Sequence, residues 1–445
     1  MLYAIILAAG DGKRFKSKTS KIFHKIMGKE IVNYVIDSSK ITQNQKTIIV
    51  SSKENYQNHI ITDDIKITIQ ENKLGTADAL KSAIESILKE NNDTNISNDD
   101  VMVLCGDSPL IKKETLKSMY ESYKNMRKKN IHLACFESEN PNNYGRCIVE
   151  DEFINEVVEA KDATPEQLKI KICNSGIYIA PINLLNDLIN SIDNKNNQQE
   201  FYLTDIVKLA KQINIKTKYF NISEEESLGI NTRSDFSKAN NIMNKRIIKK
   251  HQESGVTFLD TSSVHLFHDT IIERDVIIHP NVVIGKGVII EEGAEIFSFS
   301  HLEDTKIGFN AEVGPFARLR GNCVLEEYSQ IGNFVEAKNT LMKKKSKAKH
   351  LSYLGDSTIG NSTNIGAGTI TCNYDGKNKH KTTIGDNSFI GSNTSIIAPI
   401  NIGSSSLIGA GSVITNDVPD NSLSISRPKQ ETKERKIIKN TKKAT

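Results

Sequence analysis

Two groups of residues in this 445-residue chain have the types and spacing that small-molecule chemistry needs. The first is Leu7-Ala8-Ala9-Gly10-Asp11-Gly12-Lys13-Arg14, directly after an apolar run that reads as a first strand. A turn of small residues at the carboxyl end of such a strand is where α/β sheets bind nucleotides. Its glycines let backbone N–H groups approach phosphate oxygens, and Arg14 adds charge. It is not a Walker A loop, because no Gly-Lys-Ser/Thr follows, nor a dinucleotide fingerprint, because Phe15 stands at the third glycine position. A bare Gly-x-Gly also suits a simple tight turn. Cys105-Gly106-Asp107-Ser108-Pro109 closes another apolar run. The Asp107 carboxylate could hold Mg²⁺, which takes oxygen ligands and keeps several waters, or could cap a helix.

The second group lies beyond residue 313. It comprises Gly314 to Arg320, Asn333 to Lys338, Lys349 to Asp356, Asn364 to Thr369 and Cys372 to Gly376. It is dense in Arg, Lys, His, Tyr and Asn where a repeat should be apolar. An imidazole with a pKa of about 6.5 can take a proton from an amine attacking a thioester, so His350 is the best base candidate. Glu336 could orient it. His265 and His268 are close together, yet histidines 279, 301, 350 and 380 have no spacing that would converge them on Zn²⁺. The run Lys343 to Lys349 lacks interleaved aromatics and reads as a solvated loop rather than a nucleic-acid patch.

The elements that must position these groups differ between the two halves. Up to about residue 230, apolar runs at Tyr3 to Leu7, Thr47 to Ser51, Lys66 to Gln70 and Val101 to Leu104 alternate with helical spacing at Thr76 to Glu90 and Lys113 to Lys128. That order predicts an α/β domain with a Rossmann-like, mostly parallel sheet. Asn91 to Asp100 reads as a polar loop. Ser234 to Gln252 reads as one helix, with Ser234 as N-cap and Gly255 as stop. From about 270, aliphatic residues recur every sixth position, as at Ile384, Ile390, Ile396, Ile402, Ile408 and Ile414, and many are followed by glycine. Neither a helix nor an ordinary strand gives this period. It predicts a left-handed parallel β-helix of hexapeptide repeats, with glycine easing the turns. Lys338 to Lys349 and Cys372 to Thr383 read as inserted loops. The expected domains are 1–231, a linker helix 232–254, and 255–445 ending in a polar, basic tail from Pro428.

The formal net charge of +4 gives no general case for nucleic-acid or membrane binding. No apolar run is long enough to span a bilayer. The first residues carry no basic group before the apolar run and Asp11 follows at once, so they read as a buried strand rather than a signal peptide. Six scattered cysteines without a Cys-x-x-Cys pair suit reduced thiols in the cytoplasm.

Taken in order, Leu7 to Arg14, Lys21, Gln70 with Leu74-Gly75-Thr76, and Gly106-Asp107 resemble the sugar-1-phosphate nucleotidylyltransferases. Asn143 to Arg146, Val158 to Asp162, Asn174 to Gly176 and Gly229 to Asn231 extend the match. From residue 2 to about 430 the chain is similar to the bifunctional bacterial N-acetylglucosamine-1-phosphate uridylyltransferase/glucosamine-1-phosphate N-acetyltransferase family. The resemblance implies that Arg14 and Lys21 grip UTP phosphates, with Leu7, Ala8, Ala9, Gly10, Cys105 and Gly106 lining the nucleotide–sugar pocket. Gln70, Gly75 and Thr76 would read the uracil. Gly145, Glu159 and Asn174 would contact the sugar phosphate, and Asp107 and Asn231 would hold Mg²⁺. In the second half it implies His350 as base, Arg320 and Lys338 on the acceptor's phosphate, and Tyr353 and Asn364 on its sugar. Acetyl-CoA would lie against Ala367, Asn373, Tyr374, Ser392, Ala410 and Arg427. It further implies a homotrimer through the β-helix, with acetyl sites shared between neighbours, no nucleic-acid partner and no membrane insertion. The product would be UDP-N-acetylglucosamine for peptidoglycan and lipopolysaccharide. Three positions depart from the family's usual pattern: Ser20 for proline, Cys105 for an aromatic, and Gly321 for proline. None removes a charged group.

Overall fold

The computed structural model describes residues 1–59, 64–90, 99–126 and 130–434. The expected loop at Asn91 to Asp100 falls mostly outside them, as do 127 and 128 of the expected helix and the last part of the basic tail. The chain divides into two compact units, Met1–Met243 and Asn244–Thr445.

The first unit is built on nine strands: β1 (Leu2–Leu7), β2 (Gln45–Ser51), β3 (Ile65–Ile69), β4 (Asp100–Cys105), β5 (Ile131–Glu137), β6 (Arg146–Glu150), β7 (Phe153–Val158), β8 (Ile172–Pro181) and β9 (Thr217–Asn221). Their order is β3-β2-β1-β4-β8-β5-β9-β7-β6. The half from β3 to β4 is parallel throughout. Strand β8 runs antiparallel to β4 and β5. A near-continuous apolar run is what a strand buried on both faces requires. In β1, Tyr3 and Ile5 pack on one face with Leu80, Ala83 and Ile84 of helix α2 (Thr76–Glu90). Leu2 and Ile6 pack on the other with Val32 and Val35 of α1 (Ile31–Ser39) and Leu116 and Met119 of α3 (Lys113–Asn125). Loop 8–14 therefore leaves the carboxyl end of a fully clamped strand.

The next two helices are α4 (Ile182–Ile189) and α5 (Asp205–Gln212), and a long helix, α6, spans Arg233–Glu253. Its cap is not Ser234. The Asp235 carboxylate accepts from the Thr232 N–H at 2.8 Å, and the Asp235 N–H donates to the Thr232 hydroxyl at 3.2 Å. This reciprocal box starts the helix two residues earlier than hydroxyl spacing alone indicates. Gly255, with φ +94°, ends it as expected. The division between the two units falls within α6.

The second unit is a coil of three parallel sheets with ten, nine and eight strands. Ile278, Ile296, Val313, Ile331, Ala348, Ile365, Ile390 and Ile408 pair successively across one sheet. All eight are buried. The steps are 17 or 18 residues, three hexads per coil, except that from Ile365 to Ile390. That longer step contains the expected insertion at Cys372 to Thr383. The other expected insertion, Lys338 to Lys349, is not one. Ala348 pairs with Ile331 one residue short of a full coil, and the segment supplies strands Leu341–Met342 and Lys347–His350.

The glycine after the aliphatic avoids a Cβ clash, as expected, but at Gly332 and Gly391 the clash is with the neighbouring coil rather than within a turn. A Cβ at Gly332 would lie 1.9 Å from the Lys349 carbonyl oxygen, and one at Gly391 would lie 2.4 Å from the Ala410 nitrogen. Neither has the left-handed φ of a turn glycine. They are required by backbone stacking of one coil on the next.

Candidate functional sites

In the first unit, the Ala8 N–H donates to Val50 O and the Gly106 N–H to Leu7 O, which fixes the end of β1 beside those of β2 and β4. A Cβ at Gly10 would meet nothing within 4 Å, so protein packing does not demand glycine there and the space is open to a ligand. Gly12, at φ +59°, packs against the stem of Lys21. The Lys21 ammonium donates to the Asp107 carboxylate and, at 3.0 Å, to the Asn231 side-chain oxygen. Ile230 N–H donates to Asp107 O at 2.9 Å and ties the two segments together. Three expected site residues from distant parts of the chain thus meet at one point. Arg14 is exposed on the short turn Lys13–Phe15 and makes no polar contact with a described residue.

The remaining expected residues form two local clusters. Gln70 donates to Gly75 O at 3.1 Å and to Asp78 Oδ2 at 2.7 Å, and Thr76 Oγ1 accepts from the Leu203 N–H. A Cβ at Gly75 would lie 2.5 Å from Phe201 O, so only glycine fits. Asn174 N–H donates to Gly145 O, and Asn174 Oδ1 accepts from the Gly176 N–H at 2.8 Å. A Cβ at Gly145 would lie 3.5 Å from Glu159 Oε1. Burial pushes the Glu159 carboxyl up, partly opposed by the Thr204 hydroxyl it accepts from. Burial, with the charge of Asp107 as a lesser cause, pushes the Cys105 thiol up to about 12, so it stays protonated. Asp78, Thr204 and Phe201 support these clusters and carried no sequence signal of their own.

In the second unit, strands Arg318–Arg320, Glu336–Lys338 and Tyr353–Gly355 lie in adjacent coils. Their central residues, Leu319, Ala337 and Leu354, are buried, so the flanking polar residues face outward rather than into the coil. Arg320 and Lys338 are register partners. Arg320 donates to Glu336 at 2.6 and 2.9 Å. Lys338 is pulled below its ordinary range, first by contact with the Lys379 side chain and then by its charge. Lys379 comes from the inserted loop and lies in no motif that would single it out. Three cations therefore gather on one face.

Glu336 is engaged with Arg320 and does not orient His350. That place is taken by Asn333, whose side-chain oxygen is 2.8 Å from His350 Nδ1. The two are register partners on neighbouring strands. An amide oxygen can only accept, so Nδ1 carries the proton and Nε2 has the free lone pair. His350 is exposed. A Cβ at Gly355 would lie 2.6 Å from both Tyr353 Oη and Asn373 Nδ2, so these two groups share the space above that glycine. Asn364 lies in the same sheet as His350, paired with Lys347. Ala367, Ser392, Ala410 and Arg427 follow one another on successive coils. Arg427 donates to Ala410 O, and Tyr374, in the inserted loop, is 60% exposed.

Two family models match parts of the chain: the MobA-like NTP transferase domain over residues 4–155 and the hexapeptide repeat of succinyl-transferase over 381–416. Over its whole length the chain is similar to "Bifunctional protein GlmU" of Thermosipho melanesiensis, at 42% identity over 98% of this chain and 97% of that protein. The protein of the same name from Wolbachia pipientis wMel is 42% identical over 96% and 97%, and that of Bartonella bacilliformis 41% over 98% and 96%. The chain belongs to the bifunctional GlmU family. It is an enzyme with a nucleotidyltransferase half and a hexapeptide acyltransferase half.

The three departures from the family's usual residues have local explanations. Ser20 has φ −55°, the value proline would impose. Gly321 has φ +68° and Asn322 +63°, a turn that proline at 321 cannot adopt. Cys105 faces Gly176, where a Cβ would lie 2.7 Å from the thiol sulfur.

Proposed function

We propose that the chain makes UDP-N-acetylglucosamine by the two reactions of its family, each at one of the sites described. In the second unit the amine of glucosamine-1-phosphate attacks the thioester of acetyl-CoA. His350 Nε2 takes the amine's proton, Asn333 fixes the tautomer, and Arg320, Lys338 and Lys379 bind the phosphate. Tyr353 and Asn364 hold the sugar, and the column Ala367, Ser392, Ala410 and Arg427, with Asn373 and Tyr374, receives acetyl-CoA. In the first unit the phosphate of N-acetylglucosamine-1-phosphate attacks the α-phosphorus of UTP and pyrophosphate leaves. Such a reaction needs positioning and charge stabilisation more than a covalent nucleophile. Leu7 to Gly10 and Gly106 approach the nucleotide, Arg14 and Lys21 meet its phosphates, Gln70, Gly75 and Thr76 the base, and Gly145, Glu159 and Asn174 the sugar phosphate.

Asp107 and Asn231 offer two hard oxygen donors that already share one cation, the Lys21 ammonium. Their chemistry fits Mg²⁺, which is commonly held by one or two carboxylates together with substrate phosphates. Bound there, Mg²⁺ would neutralise charge developing on the transferred phosphoryl group.

The reading includes a homotrimer built through the β-helix. Phe299, Phe316 and Phe334 stack along one corner, with ring centroids 4.8 and 5.1 Å apart, and stand 53%, 45% and 55% exposed. Leu351 continues the row at 60%. All four have left-handed φ, a conformation uncommon for bulky residues. An exposed apolar ladder of this kind marks an interaction surface, and copies of this chain related by a threefold axis would cover it. The reading also places the enzyme in the cytoplasm. No described helix is long and apolar enough to cross a membrane.

The observation that carries the proposal is that the chain holds Lys21, Asp107 and Asn231 in contact in its first unit and, in its second, both an Asn333–His350 pair and a group of three cations. The alternative is a nucleotidyltransferase whose β-helix serves assembly only. Thiol release from acetyl-CoA with glucosamine-1-phosphate separates them. Release at a turnover matching uridylyl transfer is expected, and a folded enzyme that releases no thiol while making pyrophosphate supports the alternative.

A further inference from the structure

Lys21 occupies the position a metal ion would need. Its ammonium donates to both proposed metal ligands, and the side chains of Lys21 and Asp107 are only 11% and 21% exposed. The lysine stem is held against Gly12 of the phosphate loop, whose left-handed φ only glycine adopts readily. Gly229 packs on the other side, where a Cβ would lie 3.8 Å from Asp107 Oδ1 and from Asn231 Nδ2. The pocket that presents the two oxygens is thus assembled around an internal cation.

Resting on the reading of Asp107 and Asn231 as metal ligands, we propose that Lys21 is the resident counter-ion of this site. A divalent cation and an ammonium cannot both contact one carboxylate and one amide oxygen without strong mutual repulsion. Binding of the metal therefore requires Lys21 to leave, and the phosphates that arrive with the metal give the ammonium its new partner. The lysine keeps the two ligands together and compensated in the nucleotide-free protein, and it links metal occupancy to nucleotide occupancy. Metal alone must displace Lys21 into solvent, whereas metal with nucleotide moves it from one anion to another.

The test uses Mn²⁺ as probe, with binding followed by electron paramagnetic resonance of the free ion and by calorimetry on the full chain. In the absence of nucleotide, Lys21→Met is expected to bind Mn²⁺ roughly tenfold more tightly than wild type, because the competing charge is gone. With UTP present, the advantage disappears or reverses. Thermal melting without ions is expected to fall in Lys21→Met, since Asp107 loses its partner, and to recover with Mn²⁺. Asp107→Asn is the control for the underlying site. If Asp107→Asn binds Mn²⁺ as well as wild type, the metal-ligand reading fails. If Asp107→Asn loses Mn²⁺ while nucleotide-free Lys21→Met binds it no more tightly than wild type, the counter-ion proposal alone is overturned.

Discussion

Replacing Gly355 by alanine adds one methyl group at a crowded point of the proposed acetyl-transfer site. Its Cβ would lie 2.6 Å from Tyr353 Oη, 2.6 Å from Asn373 Nδ2 and 2.8 Å from Tyr353 Cε1. Ordinary contact begins at 3.4 Å, so both side chains must retreat by about 0.8 Å or the strand must shift. Gly355 has no left-handed φ, so alanine introduces no backbone strain and the effect is local. Tyr353 is assigned to the sugar and Asn373 to acetyl-CoA, so both substrates lose a positioned contact. At about 1 kcal/mol for each displaced hydrogen bond, the loss is about 2 kcal/mol, or about 30-fold in kcat/KM for acetyl transfer. A misplacement approaching 1 Å sets an upper value of about 100-fold. Thiol release gives the acetyl-transfer rate, and pyrophosphate release from UTP with N-acetylglucosamine-1-phosphate is expected to remain at the wild-type rate. Acetyl transfer within about twofold of wild type, in a variant with an unchanged melting profile, would refute the placement of Tyr353 and Asn373 against the substrates.

Two predictions concern stability in the first unit. Ser20→Pro is expected to stabilise by about 0.4–1 kcal/mol, because φ is already −55° and the Ser20 hydroxyl is buried without a partner; thermal denaturation measures it. His132 is fully buried, with neither ring nitrogen partnered, and burial lowers its pKa to about 4. The unfolded chain then binds the proton more readily, so this histidine's contribution to stability is present above about pH 6.5 and is lost as pH falls from there towards about 4. His132→Phe is expected to flatten the fall in melting temperature between about pH 7 and about pH 5, and an unchanged pH dependence would show that His132 does not drive it.

Much of this was legible in the chain itself, because the strongest signals were periodic or local. The hexad of isoleucines fixes a coil of three parallel sheets, and the apolar run before Leu7 fixes a central strand. What was not legible depended on register. Lys338 to Lys349 looked like an insertion because its lysines hide the period, yet Met342 and Ala348 are buried and the coil is merely one residue short. Glu336 looked free to orient His350, but pairing places it diagonal to Arg320 and places Asn333 opposite His350. The glycines looked like turn residues, whereas Gly332 and Gly391 are set by the coil stacked above them. Lys379 was invisible because only the fold of the inserted loop brings it to Lys338. Thr232, not Ser234, caps α6 because the choice between two hydroxyls was settled by Asp235.

The most direct test of two chemistries on one chain is a double dissociation in paired assays of thiol and pyrophosphate release. His350→Ala is predicted to lose acetyl transfer by about 10²- to 10⁴-fold, the usual worth of a general base, while pyrophosphate release stays intact. Asp107→Ala is predicted to do the reverse. Persistence of acetyl transfer in His350→Ala, or of uridylyl transfer in Asp107→Ala, would contradict the assignment of the corresponding site.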